Sequence, residues 1–208
     1  DVDPGDILSV AAVGGNPGAV GQSVTGAWGD LLMNADGSYS YLLHTAAAGI
    51  AQGAVTDDVF TYTAADGQGG ETETTLTISI TGTNAAPQVV ADTLAIDLAV
   101  QPDGAGNVLA NDSDVDAGAV LAVTLARAAG GSDNPVAAPD TPVAGAHGTL
   151  LLSPDGTYTY TADSGDAALR ALHATETLDD AFTLTIADEH GASVSADLTI
   201  TITGRNDA

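Results

Sequence analysis

Two tandem all-β domains, each a two-sheet sandwich, are what this sequence predicts, and three observations predict it. A set of short segments occurs twice in the same order, so the chain reads as two copies of one domain, residues 1–84 and 85–208. Leu76, Ile78 and Ile80 alternate with Thr77, Ser79 and Thr81, and Leu198, Ile200 and Ile202 alternate with Thr199, Thr201 and Thr203. That is the period of a strand with one buried face. Asp36-Gly37 and Asp155-Gly156 lie between apolar runs as hairpin turns, because Gly takes positive φ readily and Asp tolerates or caps such turns.

The repeat is extensive. Asp1-Val2-Asp3 recurs as Asp114-Val115-Asp116, and residues 29–41 recur as 148–160, each with two tyrosines beyond the turn (Tyr39 and Tyr41, Tyr158 and Tyr160). Residues 58–63 recur as 180–185, and 76–84 as 198–206. In the second copy seven antiparallel strands are expected, near residues 89–95, 96–109, 120–125, 148–152, 157–161, 181–186 and 194–203, the second broken by Pro102-Asp103-Gly104. Seven such strands with closely spaced turns predict an Ig-like or cadherin-like Greek-key β-sandwich. Residues 164–177 fit no strand; Ala168, Leu169 and Leu172 share a face of a short helical turn, and the Ala-rich residues 46–56 are similar in character. The alternating tyrosines are expected to pack at the core or edge, the other reading being a sugar-stacking platform. The first copy begins at its Asp-Val-Asp loop without counterparts of the first two strands, which leaves its sheets with unpaired edges unless another segment supplies strands.

Composition narrows the function classes. Three basic residues, Arg127, Arg170 and Arg205, stand against 28 acidic ones, for a formal net charge of -25. Nucleic acid and anionic membrane are poor partners for such a surface, and cations are good ones. The acidity is not that of a disordered tail, because 44% of the residues are hydrophobic and many alternate with polar ones. There is no cysteine, so a core or a metal must stabilise the fold without disulfides. No apolar run approaches the roughly 18 residues a membrane span needs. The start at Asp1, inside the repeat pattern, is expected of a piece of something longer.

Charge is densest at Asn111-Asp112-Ser113-Asp114-Val115-Asp116-Ala117-Gly118. Three aspartates at alternate positions can gather carboxylates round one point, where they repel unless a cation joins them. Many hard oxygens suit Ca²⁺, which takes six to eight in loose geometry, better than Mg²⁺. A solvated acidic turn is the plainer reading, but the chain opens with a similar signal, Asp1-Val2-Asp3-Pro4-Gly5-Asp6. If the seven strands alternate in direction, the loops holding Asp112, Asp114 and Asp116, then Asp155, then Asp188 and Glu189, share one pole with the incoming linker at residues 82–87. An interdomain Ca²⁺ site follows from that placement.

Gly156-Thr157-Tyr158-Thr159-Tyr160, the aspartate in Thr185-Ile186-Ala187-Asp188-Glu189-His190-Gly191, residues 198–208 and residues 108–116 together resemble the tandem cadherin-like repeats (VCBS-type and BIg-type extenders) of bacterial repeats-in-toxin surface adhesins. The resemblance covers nearly the whole chain. It implies type I secretion, an extracellular place on a Gram-negative cell surface, cell adhesion and biofilm formation, and calcium ions that rigidify a chain of neighbouring repeats. The family's linker aspartate matches Asp207, preceded by Asn206, whereas the first linker has Ala85 next to Asn84, so fewer ligands are expected there. The metal ligands so expected are Asp1, Asp3, Asp6, Asp66, Asn84, Asp112, Asp114, Asp116, Asp188, Asn206 and Asp207.

Enzymatic motifs do not fit. Asp112-x-Asp114-x-Asp116 starts like an EF-hand loop, but Gly118 falls one position late and Val123 stands where the loop needs Glu. The glycine-rich nonapeptide of calcium β-rolls does not occur. His44, His147, His173 and His190 lack zinc spacing, and Gly21-Gln22-Ser23-Val24-Thr25-Gly26 misses the nucleophile-elbow pattern by one residue. Asp57-Asp58 and Asp179-Asp180 resemble a glycosidase acid pair, yet their recurrence in both copies points to architecture. Besides a structural extender, two readings stay open: a glycan- or peptide-binding module using Trp28 and the long loops 14–26 and 128–148, and a self-associating domain.

Overall fold

The structure, a computed structural model, describes residues 7–205. The chain divides into two compact units, Asp1–Thr83 and Asn84–Ala208. Both are two-sheet β-sandwiches. In the first unit the strands are β1 (Ser9–Val13), β2 (Ser23–Thr25), β3 (Gly29–Met33), β4 (Tyr39–Leu43), β5 (Val55–Ala65) and β6 (Glu71–Thr81). They form two three-stranded sheets, β1-β5-β6 and β2-β3-β4. A 3₁₀ turn at Thr45–Gly49 carries the chain between sheets.

The second unit adds strands at both ends of this plan. Its strands are β7 (Asp92–Asp97), β8 (Asp103–Asn107), β9 (Ala122–Ala128), β10 (Asn134–Pro135), β11 (Thr141–Ala144), β12 (Gly148–Leu152), β13 (Thr157–Ala162), β14 (Thr177–Ala187) and β15 (Ser193–Thr203), with a one-turn helix α1 (Ala167–Ala171). The sheets are β10-β9-β14-β15-β7 and β11-β12-β13-β8. Asp166 caps α1 by accepting from the Ala168 amide. The two Asp-Gly turns place Gly37 and Gly156 at φ of 83° and 81°, where a side chain would be strained.

Three details depart from the seven antiparallel strands the pattern predicts. β10 and β11 lie inside what reads as a loop, because Pro135 and Pro142 disguise them; both strands are sheet edges, where a missing N–H donor costs no ladder bond. The segment 96–109 holds only one short strand, β8, since Ile96 and Asp97 finish β7 and a turn follows. β7 also pairs in parallel with β15. No hairpin joins this first strand of the unit to its last, so nothing obliges them to run in opposite directions.

The alternation of the sequence delivers the core. Leu198, Ile200 and Ile202 are fully buried with Leu150, Leu152, Tyr160 and Phe182. In the first unit Val13, Leu31, Met33 and Phe60 make a smaller cluster, against which Leu76 and Ile78 are only partly buried. Tyr158 and Tyr160 pack at the core, while Tyr39 is 53% exposed.

A buried aspartate organises each unit. Asp58 accepts from the amides of Ala27 (2.9 Å) and Trp28 (3.0 Å) and from the Tyr41 hydroxyl (2.5 Å). Asp180 repeats this with Ala146 (2.7 Å), His147 (3.0 Å) and Tyr160 (2.8 Å). Gly26 and Gly145 are required beside them, since a Cβ there would strike the carboxylate. Burial pushes the Tyr41 phenol up to about 12, helped by its bond to Asp58, and raises Tyr160 for the same reasons. Burial alone would raise Asp58 too, but the bonds from Tyr41, Trp28 and Ala27 outweigh it and leave the carboxyl below its ordinary 3.8. A carboxyl lowered on folding stabilises above its unfolded pKa and loses that contribution as pH falls through the folded value. The urea midpoint of the first unit is therefore expected to drop as pH is taken from about 5 to about 2, and to drop less in Asp58→Asn.

Candidate metal site

The loop between β8 and β9 is shaped by its own aspartates. Asp114 accepts from the Asp116 amide (2.9 Å), which turns the chain within the acidic run. Ser113 and Gln88 exchange backbone bonds of 3.0 and 2.7 Å, tying the loop to the segment that enters the unit. Asp112 accepts from the Val90 amide (2.8 Å) and Asp116 from the Ala85 amide (2.7 Å). From the β14–β15 turn, Asp188 accepts from the Asn84 side-chain amide (2.8 Å) and from the amides of His190 and Ala192. Glu189 caps the Val120 amide at 2.7 Å. Asn84-Ala85 thus bridges Asp188 to Asp116.

Each loop aspartate spends one carboxylate oxygen on a backbone amide and leaves the other without a partner. Asp112 Oδ2, Asp114 Oδ2 and Asp116 Oδ1 are buried and make no hydrogen bond. Asp116 is 7% exposed and Asp188 likewise 7%. A buried, unsatisfied carboxylate oxygen is costly, and three on one short loop are costlier by mutual repulsion. They border an open hollow of ≈ 570 Å³ that Ser113, Gly118 and Ala119 also line. Among the described residues no three His, Cys, Asp or Glu side chains are gathered closely enough to form a ready-made metal centre. A cation here would need further oxygens, and the donor set is all oxygen, the chemistry of a hard ion.

Electrostatics differ across the site. Burial, and then the charge of Asp112, raises the Asp92 carboxyl above its ordinary range. Asp188 is lowered: burial opposes ionisation, but Asn84 and the His190, Ala192 and Gly191 amides more than offset it.

Of the residues expected as ligands, Asp112, Asp114, Asp116, Asp188 and Asn84 lie within this one hydrogen-bonded region. Asp66 belongs to the first unit, where it closes the β5–β6 turn by accepting from Gln68 (2.7 Å) and Gly70 (2.9 Å). Asp1, Asp3, Asp6, Asn206 and Asp207 lie outside the described residues. Asp155 binds its own turn through Thr157 and takes no part. Two contributors escaped the pattern: Asp92, hidden as the first residue of a strand, and the Ala85 amide, since a backbone donor leaves no mark in the sequence. The acid pairs divide by strand alternation, with Asp58 and Asp180 facing in while Asp57 and Asp179 face out to Ser79 and Thr201. Trp28 is half-buried and its backbone is pinned between Asp58 and His44. No helix among the described residues is long and apolar enough to cross a membrane.

Comparison with known proteins places the chain. The calcium-binding lectin RapA2 of Rhizobium johnstonii (strain DSM 114642 / LMG 32736 / 3841) is 31% identical over 204 residues, which is 96% of this chain and 81% of that protein. Among solved structures, extracellular cadherin domains 1-5 of protocadherin gamma B2 match 97% of the chain at 13% identity and a TM-score of 0.47, and mouse cadherin-23 EC22-24 matches 95% at 12% and 0.44. The chain spans 34% and 53% of those two structures. The family model of the bacterial cadherin-like domain matches residues 1–82 and again 84–204. The chain belongs to the bacterial cadherin-like domain family, with one domain in each repeat.

Proposed function

We propose that this chain is a calcium-binding, non-catalytic pair of repeats from an extracellular bacterial adhesin, in which the cation fixes the segment entering the second unit. The observation that carries this reading is the trio of buried, unpartnered oxygens on Asp112, Asp114 and Asp116. With Asp188 and the Asn84 amide nearby, these residues would hold the ion, and backbone carbonyls and water would complete six to eight oxygens. The ion would supply positive charge to a region whose carboxylates otherwise repel. Without it, Asn84-Ala85 is held to the acidic loop and the β14–β15 turn by only two described hydrogen bonds. The name of RapA2, a calcium-binding lectin, supports the ion. Secretion by a type I route, biofilm formation and a stiffened extender belong to the same proposal.

The test is calcium titration with calorimetry. Ligand that binds only the folded form stabilises by RT ln(1 + [L]/Kd), about 1.4 kcal/mol at ten times Kd, and extracellular calcium modules work at roughly 10⁻⁴ to 10⁻³ M. The second transition is expected to rise with millimolar calcium and fall with chelator. A melting profile indifferent to both would reduce the aspartates to a solvated turn. The word lectin in RapA2's name favours a second reading, glycan binding, and a glycan array probed with calcium present separates it from a purely structural role.

A further inference from the structure

Two of the chain's three arginines line one hollow, in a protein with 28 acidic residues. Arg170 comes from α1 and Arg205 from the segment after β15, and the hollow measures ≈ 260 Å³. Leu98 and Pro102, between β7 and β8, and Leu169 of α1 give it an apolar wall. It lies past the end of β15 at Thr203, whereas the Asp188 turn of the candidate metal site precedes that strand's start at Ser193. The length of β15 therefore separates the two sites.

The repeat shows that the fold does not require either arginine. Residues 76–84 recur as 198–206, which sets Thr83 opposite Arg205. The two helical turns end at the matching C-caps Ile50 and Leu172, which sets Ala48 opposite Arg170. A feature present in both units, like Asp58 and Asp180, is architecture; one confined to a single unit is open to a task of its own. The surroundings of Arg170 agree. Among the described residues its guanidinium makes no ion pair, whereas Arg127 is paired with Asp133 at 3.7 Å. Asp166 stands one turn earlier, but His147 engages its Oδ2 (2.6 Å) and the Ala168 amide its Oδ1 (2.8 Å). Asp163, also on the lining, accepts from the Gly165 amide at 2.7 Å. Two guanidinium groups against that one carboxylate leave the lining net positive.

We propose that this hollow binds a carboxylate-bearing small molecule, its head on Arg170 and Arg205 and its body against Leu98, Pro102 and Leu169. The guanidinium fork matches a carboxylate in two parallel bonds and is weakly hydrated. An apolar wall with a few convergent polar groups is the usual make-up of a small-ligand site. At a net charge of -25 the protein repels anions at long range, so only a local pair of this kind can hold one. An aliphatic acid and a sugar acid share the required chemistry, and the test separates them.

The test follows amide NMR spectra of the 208-residue chain as sodium hexanoate or sodium glucuronate is added at constant ionic strength. Hexanol and glucose are the neutral counterparts. Saturable shifts at residues 98–102, 162–170 and 204–205 are expected from at least one acid and from neither neutral compound. The acid that binds identifies the source. Arg170 and Arg205 are exposed, so Arg170→Gln and Arg205→Gln are expected to fold as wild type and to weaken binding at least roughly tenfold each. Arg127→Gln, outside the hollow, should leave binding unchanged. No saturable shift with either acid overturns the proposal, and so does equal binding of a neutral counterpart. Equal loss in Arg127→Gln also overturns it, because the attraction is then one of general charge.

Discussion

Asp180→Ala is expected to be the most damaging single substitution in the second unit, lowering its stability by about 3–5 kcal/mol. The carboxylate is 2% exposed and satisfies three donors, the Ala146 and His147 amides and the Tyr160 hydroxyl. Alanine leaves the two amide donors of the β11–β12 turn and the hydroxyl of the fully buried Tyr160 without their shared acceptor. At roughly 3–5 °C per kcal/mol for a unit this size, the second transition should fall by about 10–20 °C. Tyr160→Phe removes one donor and its desolvation cost together, so about 1 kcal/mol is expected. Differential scanning calorimetry measures both. If the two variants melt alike, the aspartate is not the tie between turn and core that its geometry indicates. Asp58→Ala should injure the first unit in the same manner while sparing the second.

How much of this was legible beforehand follows from what each residue type records. Alternating Leu/Ile and Thr over residues 76–81 and 198–203, the Asp-Gly turns and the ordered repeat all leave a periodic trace, and they yield the two sandwiches. Strands that rely on edge position leave none: Pro142 hides β11, whose place is visible only once β12 is beside it. The acidic run between β8 and β9 raises the expectation of a cation through residue type and spacing. What it could not convey is that one oxygen of each aspartate is already engaged by a backbone amide. Nor could Asp58 and Asp180 be told from their outward neighbours until the strand phase was fixed, since both members of each pair are the same residue. The resemblance suggested a weakened linker because Ala85 replaces an aspartate; the structure adds that its amide still engages Asp116.

Asp116→Asn should separate a metal site from a solvated turn by reversing sign with calcium. In wild type, Asp116 Oδ1 is buried and unpartnered while Oδ2 holds the Ala85 amide. Asparagine retains an oxygen for Ala85, removes one negative charge from a crowded loop and offers an N–H to a neighbouring orphan oxygen. In chelator the variant is therefore expected to be more stable than wild type, by about 1 kcal/mol. With calcium the order inverts, because affinity rises with ligand charge, and the loss of a directly liganding carboxylate should cost roughly a hundredfold, at least as much as loss of an outer-shell partner. Wild type then gains about 1.4 kcal/mol at ten times its own Kd while the variant gains almost nothing. Calorimetry of both proteins in chelator and in millimolar calcium reads the crossing directly. Curves that shift in parallel would place the ion elsewhere, and a variant destabilised in both conditions would make Asp116 a structural cap for Ala85 alone.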